Sequence, residues 1–273
     1  MNTLEQKMVE VLSDLRFNNA CIGVKAEFEA EGTRLEEALR LKEVVTRAGL
    51  NLTIKIGGCE ALRDMYECRT VGVERVVAPM VESPFALKKF LQAANLAYPE
   101  DEREYVKLVV NIETKTSVDN FPEMLKLPQI NGLYGIVMGR VDLTGSMGLD
   151  RDKDINGEDV YEITRDLFRA SKARGMENAV GGGVSVHSIP FFQRLAEEKL
   201  IDRYETRKVI FKCPDALHNH TENGIMKAVG FELLWLKNKR DYYQIISVED
   251  AQRIQMLEAR YKTIIEKAGG YVQ

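Results

Sequence analysis

Val109-Val110-Asn111-Ile112-Glu113-Thr114 and Ile136-Val137-Met138-Gly139-Arg140-Val141-Asp142-Leu143 are two short apolar runs, each closed by a carboxylate, with Glu113 and Asp142 standing 29 positions apart. Both runs are rich in β-branched residues and lead into polar or glycine-bearing sequence. That is how a strand buried on both faces reads before its chain turns into a loop. An acid at such a point faces the mouth of a parallel barrel, not its core. Barrels of the (β/α)8 class keep their chemistry at the carboxyl ends of the strands, so acids from neighbouring strands can meet on one hard cation.

Outward from these runs the alternation is regular. Strand-like segments fall near 21–28, 52–57, 75–81, 107–114, 133–142, 178–186 and 208–213, and helical patterns cover 59–70, 84–96, 118–127, 157–175 and 188–199. A further helix is predicted from Thr33, where Thr33 and Glu36 form a capping box ahead of Leu35, Ala38, Leu39, Val45 and Ala48. Strand and helix alternating over a whole chain imply parallel strands joined by right-handed crossovers. Seven strands are evident, so an eight-stranded barrel needs either an irregular first strand among the N-terminal residues or closure by something other than a strand. The expectation is an α/β fold, a (β/α)8 barrel with some irregularity, in one domain over residues 1–273, ending in a helical extension from about 223. Within that extension Ser247 and Asp250 suggest a second capping box before Ala251, Ile254, Leu257, Tyr261 and Ile264. This stripe reads as core-facing periodicity, or else as a helix exchanged with a neighbouring subunit.

Composition narrows the function. The chain has 273 residues, 45% hydrophobic and 29% charged, which is ample for one large core. A formal net charge of −4 shows no basic excess, so neither nucleic acid nor an anionic membrane is an expected partner. A small molecule is. The N-terminal residues carry acids and no uninterrupted apolar stretch, which predicts no signal peptide or membrane span and a cytoplasmic location. Cys21, Cys59, Cys68 and Cys213 lack the spacing of a zinc or redox site and read as small buried hydrophobes, with Cys213 placed to line the mouth. His187, His218 and His220 match no metal-binding helix motif.

The order Val77-Ala78-Pro79-Met80-Val81-Glu82-Ser83, then Asn111-Ile112-Glu113-Thr114, then Met138-Gly139-Arg140-Val141-Asp142-Leu143-Thr144-Gly145-Ser146-Met147-Gly148 resembles the HpcH/HpaI aldolase and citrate lyase β-subunit family. The likeness runs from about 21 to 215. It implies a (β/α)8 barrel binding Mg2+, or Mn2+ or Co2+, through Glu113 and Asp142. It also implies a carbon–carbon lyase acting on a pyruvate-like 2-oxo acid, and an oligomer that is a trimer or hexamer. Two protein carboxylates leave coordination positions for water and a bidentate substrate, as a hard ion requires. Acids at strand ends also have a plainer reading, as helix caps or partners of an Arg such as Arg140.

Two family positions differ in this chain. Where relatives carry a substrate-gripping Arg, Lys55 stands in Thr53-Ile54-Lys55-Ile56, keeping the charge without the two-pronged fork. Where aldolase relatives show an acid followed by a proton-handling His, the stretch Glu27-Phe28-Glu29-Ala30-Glu31 puts Ala30 in the place of that His. Glu27 and Glu29 share a parity along a strand, so either is a candidate base, with His187 as the third. In Gly181-Gly182-Gly183-Val184-Ser185-Val186-His187-Ser188 the glycines admit close approach of a ligand, and Ser188 before Ile189-Pro190 predicts a helix start. Gly139, Arg140, Gly183, Ser185 and Ser188 are therefore candidate substrate contacts, the alternative for the glycines being tight strand packing. Cys213-Pro214-Asp215 and Leu217-His218-Asn219-His220-Thr221 follow the last strand and are expected to border the mouth. Three other readings stay open: a CoA-thioester lyase, an enzyme of a phosphorylated sugar acid, and a catalytically silent scaffold or regulatory barrel.

Overall fold

The computed structural model describes residues 1–218 and 220–269, leaving Asn219 of the expected mouth loop and the last four residues of the extension outside it. Helix α1 (Thr3–Asn19) leads into β1 (Cys21–Glu27), followed by α2 (Leu35–Arg47), β2 (Asn51–Lys55), α3 (Leu62–Val71), β3 (Arg75–Ala78), α4 (Pro84–Ala97), β4 (Lys107–Ile112) and α5 (Lys115–Met124). Then come β5 (Gly135–Gly139), α6 (Arg140–Ser146), α7 (Arg151–Asp154), α8 (Glu158–Lys172), β6 (Glu177–Gly181), α9 (Ile189–Glu197), β7 (Arg203–Glu205), β8 (Val209–Lys212) and the long α10 (Thr221–Lys267). The eight strands close in sequence order into one barrel.

The strand missing from the sequence reading is β7, only 3 residues long. It is too short to show periodicity. It supplies the closure, so neither an N-terminal strand nor a non-strand element does; residues 3–19 are the helix α1, whose buried Met8, Leu12 and Leu15 face the core. From β1 to β7 every neighbouring pair is parallel. β8 runs the other way against both β7 and β1. A turn over 206–208 joins β7 to β8, and Thr206 N donates to Val209 O across it. A link this short can only return the chain antiparallel. The reversal moves everything after β8 to the amino end of the barrel: Phe211 pairs with Cys21 at the start of β1. Cys213-Pro214-Asp215 and, among the described residues of the loop, Leu217, His218, His220 and Thr221 thus lie opposite the mouth, contrary to expectation.

The core is split in two. Val77, Val109, Val137 and Ala179 fill the barrel as a small separate cluster. The larger cluster lies between the strands and the surrounding helices. Around the inner apolar layer the inward positions turn polar at both ends, because residues two apart on a strand share a face. The amino end holds Arg75, Glu177 and Arg203, and the carboxyl end holds Lys25, Glu27, Lys55, Asn111, Glu113 and Glu205.

Two local boundaries also move. The cap of α2 is Arg34, with Glu37 returning to its backbone, and Leu39 of the anticipated stripe is exposed. Ser247 and Asp250 open no new helix, because α10 is continuous through them.

Candidate active site

Glu113 follows the last residue of β4 with the inward parity of Val109 and Asn111, and is 2% exposed. Its Oε1 accepts the Met80 backbone N–H at 2.9 Å, and its Oε2 accepts Asn111 Nδ2 at 2.8 Å. Met80 holds a left-handed backbone, φ 50°, two residues past the end of β3, with its amide on the carboxylate. Gly139, the last residue of β5, leaves the room: a Cβ there would lie 2.5 Å from Glu113 Oε2. Burial raises the pKa of Glu113, and the neighbouring Asp142 charge adds to the rise, while the Met80 amide, Lys55 and Asn111 oppose it.

Asp142 is not on a strand. β5 stops at Gly139, and Arg140 opens α6, so Asp142 sits in the first turn of that helix with its side chain exposed. The expected strand over 133–142 is thus a strand and a helix start. The position suits an acid, because the first-turn amides carry partial positive charge. A buried carboxylate and an exposed one, near enough to repel, form an oxygen donor set that a divalent cation would relieve. Each carboxylate oxygen of Glu113 keeps a lone pair beyond its one hydrogen bond. The residues fit a hard cation. Among the described residues, no group of three or more His, Cys, Asp or Glu side chains is assembled for a metal, so water and substrate would have to fill the remaining positions.

Lys55 ends β2. Its Nζ lies 2.7 Å from Glu29 and 3.9 Å from Glu27. Glu27 is buried and also pairs with Lys25 at 3.2 Å, while Lys25 pairs with Glu205 at 3.3 Å. Burial pushes the Glu27 pKa up, but Lys25, Lys55 and Arg207 together hold it below the usual carboxylate range. Lys25 is the mirror case: burial pulls its ammonium down, and Glu205 and Glu27 more than offset it. Glu29, by contrast, is exposed. Glu31 ties this corner to the β7–β8 turn, accepting the Glu27 and Thr33 donors and pairing with Arg207 at 3.3 Å and with Lys208.

The other expected site residues lie elsewhere. Arg140 is fully buried, and its donors are spent on Gly181 O (3.3 Å), Gly182 O (3.0 Å), Asn156 Oδ1 (2.6 Å) and Ser188 Oγ (3.2 Å), with the Phe191 and Phe192 rings against its guanidinium. Burial without a carboxylate partner pushes its pKa down to about 9. Among the described residues it pairs with no acid, and it clamps α6 to the glycine run. Ser188 is buried under Arg140, and its Oγ accepts from Arg140 Nη2 at 3.2 Å and from the Ser185 amide at 3.4 Å. Gly182 and Gly183 take left-handed backbone against the start of α6, where a Cβ on Gly182 would meet Arg140 N at 2.9 Å. This is the packing alternative. His187 is exposed in a 3-10 turn, and no hydrogen bond or ion pair among the described residues links it to Glu113 or Asp142. Cys213 is a buried thiol whose pKa burial raises, at the end away from the mouth.

Lys25, Asn111 and Glu205 escaped the sequence reading. Lys25 shares its parity with Glu27 on β1, a signal that was present, and Asn111 stands two residues before Glu113. Glu205 sits on the strand that was not seen.

The HpcH/HpaI aldolase/citrate lyase family model matches residues 35–182, a span that includes Lys55, Glu113 and Asp142. No curated protein matches the sequence. Among solved structures, an HpcH/HpaI aldolase from Desulfitobacterium hafniense DCB-2 superposes with a TM-score of 0.61 at 15% identity, covering 83% of this chain and 89% of that one. The citrate synthase SbnG gives 0.60 at 15% identity, covering 86% of this chain and 90% of that one. An HpcH/Hpal aldolase/citrate lyase family protein from Burkholderia cenocepacia J2315 gives 0.57 at 14% identity, covering 90% of this chain and all (100%) of that one. At such identities the superpositions speak for the barrel alone. The family match extends over more than half of the chain, and this protein belongs to the HpcH/HpaI aldolase/citrate lyase family, a family of lyase-type enzymes.

Proposed function

We propose that this protein is a metal-dependent carbon–carbon lyase acting on a 2-oxo acid of the pyruvate type. The observation that carries the reading is Glu113: a buried carboxylate with a raised pKa, fixed by two hydrogen bonds, beside a second carboxylate at the carboxyl end of the barrel. A divalent ion, Mg2+ first and Mn2+ or Co2+ as alternatives, would be held by Glu113 and Asp142 and would supply positive charge against the negative charge that develops on a substrate keto oxygen. Asn111 and the Met80 amide orient Glu113, and Gly139 leaves it space. Lys55 neutralises the substrate carboxylate, which displaces Glu29 from its ammonium. Glu27 stays ionised between Lys25 and Lys55 and holds that ammonium in place. Glu29, exposed and next to the bound carboxylate, is the residue we assign to the proton, in preference to His187.

The test is chelator-sensitive deuterium uptake into the methyl group of pyruvate, which needs no knowledge of the second substrate. Wild-type protein should exchange with Mg2+ or Mn2+ and stop with chelator, and calorimetry should show the ion's binding lost in Glu113→Gln and Asp142→Asn. Unchanged ion affinity in both variants would place the site elsewhere. Ion binding without exchange would favour the silent scaffold, a reading that Ala30 in place of the His supports.

For the assembly, the reading is a homo-oligomer, a trimer or hexamer, with a second copy covering α10. Beyond Tyr243 this helix is exposed almost throughout, and Ile254, Leu257, Tyr261 and Ile264 repeat at the three-and-four spacing of a self-associating seam. All four cysteines are free thiols, which supports a reducing, cytoplasmic location. Among the described residues no helix is long and apolar enough to cross a membrane.

A further inference from the structure

Two cavities lie away from the carboxylate pair. Cavities of about 760 Å³ and about 380 Å³ adjoin at the amino end of the barrel and share Lys107, Glu177 and Asp202. Volumes in this range hold small-molecule ligands. The smaller one is roofed by Arg75 and Arg203, the first residues of β3 and β7, which are 5% and 4% exposed. The inner layer of Val77, Val109, Val137 and Ala179 separates this end from Glu113.

Charge and hydrogen bonding are both incomplete there. Around the rim, Lys107 pairs with Glu74 at 2.5 Å, Lys172 with Asp202 at 2.5 Å and Lys212 with Asp215 at 3.0 Å, so these cations are matched. Arg75 and Arg203 share the single carboxylate of Glu177, at 2.9 Å and 2.6 Å from the same oxygen. Two buried arginines thus share one acid as their direct partner. Arg203 Nε is oriented too poorly toward that oxygen to donate, and no hydrogen bond of ordinary geometry satisfies its guanidinium among the described residues. A buried, under-bonded guanidinium costs free energy unless an acceptor completes it. A plain structural plug would pair one arginine with one acid.

We infer that Arg75 and Arg203 form a second binding site, at the amino end of the barrel, for the oxyanion group of a small metabolite, either a phosphate or a carboxylate. The planar forks of two guanidiniums suit either group, Glu177 fixes their spacing, and the adjoining cavity takes the remainder of the molecule. The inference does not rest on the metal-dependent lyase reading, since no residue is shared.

Calorimetric titration of metal-free protein with inorganic phosphate and, separately, malonate tests it, at ionic strength held constant with sodium chloride. Binding of either is expected in the wild type and, unchanged, in Glu113→Gln; the tighter probe identifies the group. Arg203→Lys should weaken binding ~10-fold by losing the fork, and Arg203→Gln should abolish it. Arg203→Gln leaves Arg75 and Glu177 as a neutral pair and should fold; if it does not, Arg203→Lys decides. No binding of either anion to the wild type, or equal affinity in the Arg203 variants, overturns the site.

Discussion

Glu113 is a carboxylate kept in an unfavourable place, and its chemistry follows from that. Its folded pKa is raised above the unfolded value, so the native state binds its proton more readily. The stability it contributes is therefore fully present below the unfolded pKa and is lost as pH rises through the folded one. Metal-free Glu113→Gln should be more stable than the wild type at neutral pH, with the difference shrinking towards pH 4.5, the model-compound range; melting curves across pH in chelator check this. Gly139→Ala would drive a methyl into Glu113 Oε2 and should cost about 1–3 kcal/mol together with most of the ion affinity. Lys55→Met removes a charge-assisted contact worth about 1.5–3 kcal/mol, so kcat/KM for a 2-oxo acid should fall roughly 10- to 100-fold, mainly through KM; an unaltered KM would take Lys55 out of the pocket. At this scale the acids were legible because each closes an apolar run. The ion pairs beyond Glu27 were not, since Lys25 and Glu205 meet only across the closed barrel.

Elements decide which residues reach the mouth. Asp142 and Arg140 are two positions apart on the first turn of α6, yet one is exposed and the other fully buried. In a strand, residues two apart would share a face; in a helix they diverge. Reading 133–142 as one strand therefore placed both in the mouth, and the helix start at Arg140 separates them. Arg140 instead binds α6 to the carbonyls of Gly181 and Gly182 and to Ser188. Arg140→Met should leave those acceptors unsatisfied and destabilise the protein by about 2–4 kcal/mol, read by denaturant unfolding. Its effect on KM should be small once the protein is folded, which distinguishes a clamp from a substrate contact. The glycine run was visible in the sequence as a place of close approach. That α6 approaches it closely was not.

The molecule as a whole is a barrel whose last strand is reversed, with a helical arm continuing past it. Removing residues 246–273 deletes a segment that is largely exposed over its described residues, and should leave the melting temperature within a few degrees while lowering the number of subunits in the oligomer, measured by light scattering; an unchanged number would show that assembly uses another surface. Alternation of strand and helix, the position of Glu113 at a strand end and the apolar repeat of the arm were all determined by the sequence alone, because each depends on neighbours within a few residues. Tertiary structure decided the rest: the closing strand Arg203–Glu205, the reversal that carries Cys213 away from the mouth, and the charge relay from Lys55 through Glu27 and Lys25 to Glu205. A three-residue strand has no period to read, and the direction of β8 is set by the turn that precedes it. The relay forms only when barrel closure brings β1 and β7 to either side of β8, so its energy lies in contacts that no local stretch of sequence contains.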